Sequence, residues 1–232
     1  MDLTNIGNIE LEAQEFLEAF VVEDGIDPEV FNGVLGLAPG ENSAPKLRTV
    51  TEHMLQSKTA SQFSLHFDHR TIGRLTFENF FNSQETGPIA SIPLSDPNKW
   101  QFKADQVSVG AKKFCGPTDC KVNIDLLFGG IRVPYSLAYD FLTAIHAQIA
   151  PSGDVIVLVS EIPRIPNLEI NVNGQMMSLN ITEYSRCVQS QPFCEVPIET
   201  GNGEWALGQP FLFKHDSEFN FKDKTMSFTS KK

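Results

Sequence analysis

The chain has 232 residues, 41% of them hydrophobic, with 29 acidic against 18 basic side chains and a formal net charge of -11. That length and apolar content suit one large all-β unit or two small lobes with a real core. The acidic balance repels phosphate backbones and anionic membranes and so argues against nucleic-acid or membrane partners; the longest apolar run, near Val155-Ile156-Val157-Leu158-Val159, suits a buried strand rather than a membrane span.

At the front, Met1-Asp2-Leu3-Thr4 shows neither the basic segment nor the apolar core of a secretory signal. From Ile9 to Glu23 the apolar residues alternate loosely between Gly7 and Asp24-Gly25, and the β-branched and aromatic residues near Val21 and Val22 favour strands over a helix in Leu11 to Phe20. Phe31 to Gly40 is an apolar run punctuated by glycines. It lacks the Lys-Ser/Thr of a phosphate loop, so its glycines are read as letting backbone pass close to backbone. Pro45 to Gln56 reads as a helix, with proline at its first position and Leu47, Val50, Met54 and Leu55 at three- and four-residue spacing.

The alternating Phe63 to Phe67, a polar turn at Asp68-His69-Arg70, and Gly73 to Phe77 predict a hairpin. His66, Asp68 and His69 do not read as a metal site, because neighbouring hairpin positions point to opposite faces and no further ligand lies near. Short strands are expected at Pro88 to Pro93, Trp100 to Val109 and Lys121 to Asp125, each bounded by Gly, Pro, Asp or Asn, the pattern of an all-β sandwich or barrel. The third of these delivers a single carboxylate, Asp125. Gly129-Gly130 then reads as a turn and Pro134 as the start of a helix. An ionisable group at the end of a buried strand is costly unless it is hydrogen-bonded or chemically employed, so Asp125 is the candidate catalytic residue or what is left of one.

Tyr135 to Ile149 reads as a second helix, with Leu137, Phe141, Ile145 and Ile149 on one face and His146 partly exposed. Strands are expected at Val155 to Val159, Leu168 to Val172 and Met176 to Ile181, the last two joined at Asn173-Gly174, whose residues tolerate positive φ. Trp205 to Phe213 leads into a closing hairpin, Phe219-Asn220-Phe221 and Met226-Ser227-Phe228. Val34-Leu35-Gly36 and Ala206-Leu207-Gly208 echo each other, which suggests an internal two-fold repeat.

The four cysteines form two close pairs. Cys115 and Cys120 frame a Gly-Pro turn, and Cys187 and Cys194 flank Gln191-Pro192, so each pair sits within bridging reach. Free thiols or a metal site are the alternatives, but the spacing is not CxxC and no histidine lies close, so two disulfides are expected. Asn180-Ile181-Thr182 is a glycosylation sequon. Both features favour an oxidising, secretory-type or lysosomal-type compartment, reached as part of a longer precursor or by a form whose front end has been removed. Apart from glycan and disulfides, no cofactor and no metal are expected.

In this order the elements resemble a family. Gln14-x-Phe16, Glu23, Phe31-Asn32-Gly33-Val34-Leu35-Gly36-Leu37, Leu75-Thr76-Phe77, Thr86-Gly87 to Pro93 and Trp100-Gln101-Phe102 are similar to successive segments of pepsin-like aspartic peptidases. So are the Cys115 and Cys120 pair ahead of Asp125, Ile162-Pro163-x-Ile165-Pro166, Tyr184, and Trp205-Ala206-Leu207-Gly208-x-Pro210-Phe211-Leu212. The resemblance implies a mostly β, bilobal acid-protease fold with few short helices: a partial N-terminal lobe with interdomain strands over residues 1–95 and a complete C-terminal lobe over 96–232. It also implies an aspartic endopeptidase activity, in which two Asp-Thr/Ser-Gly motifs share a proton and activate water. This chain starts after the place of the first motif, contains neither Asp-Thr-Gly nor Asp-Ser-Gly, and carries Leu126 and Leu127 where the Thr and Gly after Asp125 would stand. Leucine supplies no hydroxyl and fits poorly where a glycine conformation is needed. The expectation is therefore an inactive homologue that binds a peptide or protein ligand; alternatively, the missing half comes from another chain or a longer isoform. A truncated lobe would also leave an unpaired edge prone to self-association.

Overall fold

The structure is a computed structural model and describes residues 2–18, 33–40, 47–68, 72–78, 91–125, 128–201 and 203–230. It is mostly β, with helices of eight residues or fewer. Among the described residues no helix is long and apolar enough to cross a membrane.

The front of the chain opens with a hairpin, β1 (Asp2–Ile6) against β2 (Ile9–Gln14), turning at Gly7, whose φ of +61° favours glycine. Helix α1 (Val50–Ser57) is shorter than the sequence suggests, and Leu47 precedes it. Thr49 sets the start: its side chain accepts from the Glu52 backbone N–H while the Glu52 carboxylate accepts from Thr49, a reciprocal cap. Pro45 lies outside the described residues. The expected hairpin forms as β3 (Gln62–Asp68) and β4 (Ile72–Phe77), followed by β5 (Ser91–Pro93). Glu23, Phe31, Asn32, His69, Arg70, Thr86 and Gly87, all used in the reading above, lie outside the described residues.

The expected strand from Trp100 to Val109 is broken in two, β6 (Gln101–Lys103) and β7 (Gln106–Val109), where the Ala104 and Asp105 N–H groups donate to the Cys120 and Asn171 carbonyls. Strand β7 turns at Gly110 into β8 (Lys112–Cys115), and β9 (Lys121–Ile124) leads to Asp125. The chain does bend at Gly129-Gly130, and a helical turn does start at Pro134, but the segment between them was not foreseen as a strand. A further strand, β10 (Ile131–Pro134), intervenes, with Ile131 and Val133 fully buried. The helix expected from Tyr135 to Ile149 is a 3-10 turn at Tyr135–Leu137 and then α2 (Ala138–Ala144). His146 takes a positive φ of 55° and ends it, and Ile149 is exposed in β11 (Gln148–Ile149).

Strand β12 (Val155–Leu158) is followed by the hairpin β13 (Leu168–Val172) and β14 (Gln175–Leu179), turning at Asn173 and Gly174, both at positive φ. The expected extension to Ile181 fails because Asn180 caps a 3-10 turn there. Then come β15 (Arg186–Cys187), β16 (Phe193–Glu195), β17 (Ile198–Gly201) and β18 (Trp205–Leu207). Gln209–Lys214, for which the sequence suggested no helix, forms α3, with Pro210 in its first turn, before the closing hairpin of β19 (His215–Asn220) and β20 (Thr225–Ser230). Cys115 bonds to Cys120 and Cys187 to Cys194, the latter pair directly opposite across β15 and β16.

Two five-stranded sheets organise the core. One has the order β4-β3-β19-β20-β5, so the C-terminal hairpin lies between strands from the front of the chain. The other, β17-β10-β18-β9-β6, carries Asp125. Phe63 joins them: fully buried, it stacks on Phe219 at 4.8 Å and meets Trp100 edge-on at 5.7 Å. Burial of a side chain of that size contributes about 1.5–3 kcal/mol. A second aromatic group, Phe114, Phe141 and Trp205, with centroids 5.6–5.7 Å apart, packs α2 and β8 beneath β18.

Candidate functional site

Asp125 stands at the point where two parallel strands end side by side. Strand β9 pairs in parallel with β18, Ile124 lying opposite Leu207, and the Asp125 backbone N–H donates to the Leu207 carbonyl at 3.0 Å. Just beyond, residues 128–130 cross under Gly208. The Gly208 N–H donates to the Gly130 carbonyl at 3.0 Å and the Gln209 N–H to the Phe128 carbonyl at 2.8 Å. The approach is so close that a Cβ on Gly208 would lie 2.1 Å from the Phe128 carbonyl oxygen. Glycine at 208 is thus required by geometry.

The Asp125 side chain is about one-third exposed and faces Arg132, whose Nη1 lies 3.4 Å from Asp125 Oδ2. Arg132 projects from β10 directly opposite Glu199 on β17, and its Nη2 and Nε donate to Glu199 Oε2 at 2.9 and 3.2 Å. The guanidinium also lies 5.3 Å from the centre of the Phe128 ring. Beside this group the Asn123 amide donates to Glu204 and to the Trp205 carbonyl, both at 3.1 Å, and receives Gln101 Nε2 at 3.1 Å, a network that fixes the strand ends.

A cleft of about 480 Å³ opens over these residues. One wall is Val34 to Ala38, tied down where Trp100 Nε1 donates to the Leu37 carbonyl at 2.8 Å and Thr51 Oγ1 to the Ala38 carbonyl at 2.7 Å. The other wall carries Trp100, Ile124, Asp125 and Arg132. Apolar walls with a few convergent polar groups fit an extended peptide segment better than a metal ion. Among the described residues no group of three potential metal ligands occurs; His66 Nδ1 instead lies 2.7 Å from Asp216 Oδ1, and His69 lies outside the described residues.

The sequence placed Asp125 at its strand end but gave no role to Arg132 or Glu199. A charge between two apolar residues in Ile131-Arg132-Val133 was the available signal, hidden by reading that segment as a turn into a helix. Leu126 and Leu127 lie outside the described residues. Asn180 sits at the surface with its Oδ1 accepting from Thr182 N–H and Oγ1, each at 3.0 Å, while Nδ2 reaches Asn167 Oδ1 at 3.3 Å.

Comparison with known proteins gives a match over residues 1–231 to the family model described as eukaryotic aspartyl protease. The chain is 28% identical to cathepsin D of Dictyostelium discoideum over 99% of its own length and 63% of the relative's. It is 24% identical to renin-2 of Mus musculus over 85% and 53%, and 25% identical to pepsin A of Rhinolophus ferrumequinum over 82% and 51%. The chain thus spans between half and two-thirds of the length of these relatives.

Proposed function

The chain belongs to the eukaryotic aspartyl protease family, and on that premise we propose that it is a proteolytically inactive member that binds a peptide or protein segment in the cleft beside Asp125. The observation that carries this reading is the company Asp125 keeps. Acid proteolysis of this kind needs two carboxylates that share one proton, one accepting while the other donates. Here the carboxylate faces a guanidinium at 3.4 Å, and Leu126 and Leu127 follow it where a hydroxyl and a glycine are needed. The cleft retains apolar walls suited to holding a segment that is not cut. Incubation with an acid-denatured protein at pH 3 to 5 is expected to give binding without cleavage; cleavage blocked by a transition-state-mimicking inhibitor and abolished by Asp125→Asn sinks the proposal.

A second reading is an aspartic-type endopeptidase whose other half comes from another chain or a longer form of the protein. It is favoured by the intact frame under Asp125 at Gly208 and by the exposed wall at Val34 and Leu35. It requires self-association or a partner, so a monomer in light scattering at both neutral and acidic pH counts against it.

The two disulfides and the sequon, whose Asn180 is half-buried and Thr182 exposed, support an oxidising, secretory-type or lysosomal-type compartment with a glycan on Asn180. Expressed behind a secretion signal, the protein should lose mass on endoglycosidase treatment. The loss should vanish in Asn180→Gln; an unshifted wild type removes the glycan from the proposal.

A further inference from the structure

We infer that Arg132 is a built-in counter-ion that withholds the Asp125 carboxylate from proton sharing, a positioning residue set against catalysis. The inference deepens the inactive reading of the same site. Four independent features aim the guanidinium. Strand alternation comes first: Ile131 and Val133 are fully buried, so Arg132 between them projects to the opposite face, towards the cleft. Glu199 on the neighbouring strand then holds Nε and Nη2. The Phe128 ring lies against its face at 5.3 Å. The fourth is a space made for its stem: a Cβ on Gly201 would come 2.6 Å from Arg132 Cδ, so the aliphatic part lies where only glycine leaves room.

The remaining group, Nη1, is thereby presented to Asp125 Oδ2. A guanidinium stays protonated throughout the acid range, so it offers Asp125 a charge and never a proton to exchange. A second carboxylate, by contrast, would compete for one proton. It follows that a carboxylate delivered by another chain would meet an Asp125 already engaged, and that Arg132 would have to leave before proteolysis could begin.

The carboxylate's availability can be read without any assay of cleavage. A small water-soluble epoxide alkylates free carboxylates: the oxygen attacks a ring carbon, the ring C–O bond opens, and the resulting alkoxide takes a proton from water, leaving an ester that peptide mapping by mass spectrometry locates. Labelling of Asp125 at pH 6 is expected to rise about fivefold in Arg132→Met, the ratio for a partly exposed ion pair at the strong end of its range, while labelling of Asp105 and Asp154 stays level. Arg132→Lys, which keeps a cation, should restore part of the protection. Equal Asp125 labelling in wild type and Arg132→Met overturns the inference. If Arg132→Met does not fold, Arg132→Gln serves: it keeps a polar side chain without the charge and should raise labelling about fivefold, and no rise overturns the inference. Cleavage of denatured protein by the wild type would sink the proposed function while leaving this result to be judged on its own.

Discussion

Two short runs of nearly the same sequence have opposite fates. Ala206 and Leu207 lie in β18, between β9 and β10, with Gly208 directly after them, and each of the two is 1% exposed. Val34-Leu35-Gly36 belongs to no strand, and Val34 and Leu35 are 55% and 45% exposed. A glycine-punctuated apolar run therefore does not carry its own burial. Strand neighbours on both sides supply it at 206–208. At 34–38 the backbone is held by hydrogen bonds from Trp100 and Thr51, which leaves the side chains of Val34 and Leu35 exposed to line a cleft. The glycines differ in the same way: a Cβ on Gly208 runs into two carbonyl oxygens, at 2.1 and 2.6 Å, whereas no described atom comes within 4 Å of one on Gly36.

The sharpest way to break this contrast is to substitute those glycines. Gly208→Ala is expected to lose about 4 kcal/mol or more, because the clash is with backbone that cannot swing away, while Gly36→Ala changes stability by less than about 0.5 kcal/mol. Denaturant midpoints measure both, and similar losses at the two sites would mean that the first run is packed like the second. The adjacent leucines give a smaller difference. Leu207→Ala should cost about 2–5 kcal/mol by leaving a cavity, and Leu35→Ala under about 0.5 kcal/mol with weakened retention of bound peptide.

The smallest effect concerns the tether of the first run. Helix α1 carries Thr51, which holds Ala38, and the buried His53, whose Nδ1 lies 3.0 Å from Gln14 Oε1 on β2. Burial first, and then the Arg48 charge, hold the His53 imidazole below its ordinary value of 6.5. The unfolded chain therefore takes up a proton more readily, so the stability that His53 contributes above pH 6.5 is lost as pH falls through that value towards its folded one. Hydrogen exchange, corrected for intrinsic rates, should quicken in residues 9–14 and 50–57 on going from pH 7 to 5 more than in 205–212. His53→Gln should flatten that difference, and an unchanged profile would remove His53 from the account.

Much of the strand pattern is local and was legible. Alternation marked the hairpins at 63–77 and 219–228, the Asn173-Gly174 pair marked the one at 168–179, and close spacing around turn residues marked both disulfides. Helix lengths were overestimated, since apolar spacing at Leu137, Phe141 and Ile145 runs on past His146, where the backbone turns at positive φ. The strand at Ile131–Pro134 was missed because its glycines and proline look like punctuation. Its pairing with Ile198–Gly201 and Trp205–Leu207, far along the chain, is what makes it a strand.

The sequence alone determined that this is a mostly β chain of the aspartyl protease type with one aspartate at the end of a strand, because period-two alternation, turn residues and ordered motifs are written in neighbouring positions. Only the tertiary structure decided what that aspartate meets. Arg132 and Glu199 come to it through the pairing of β10 with β17 and β18, and which distant strands pair depends on the packing of the whole sheet, not on any local pattern.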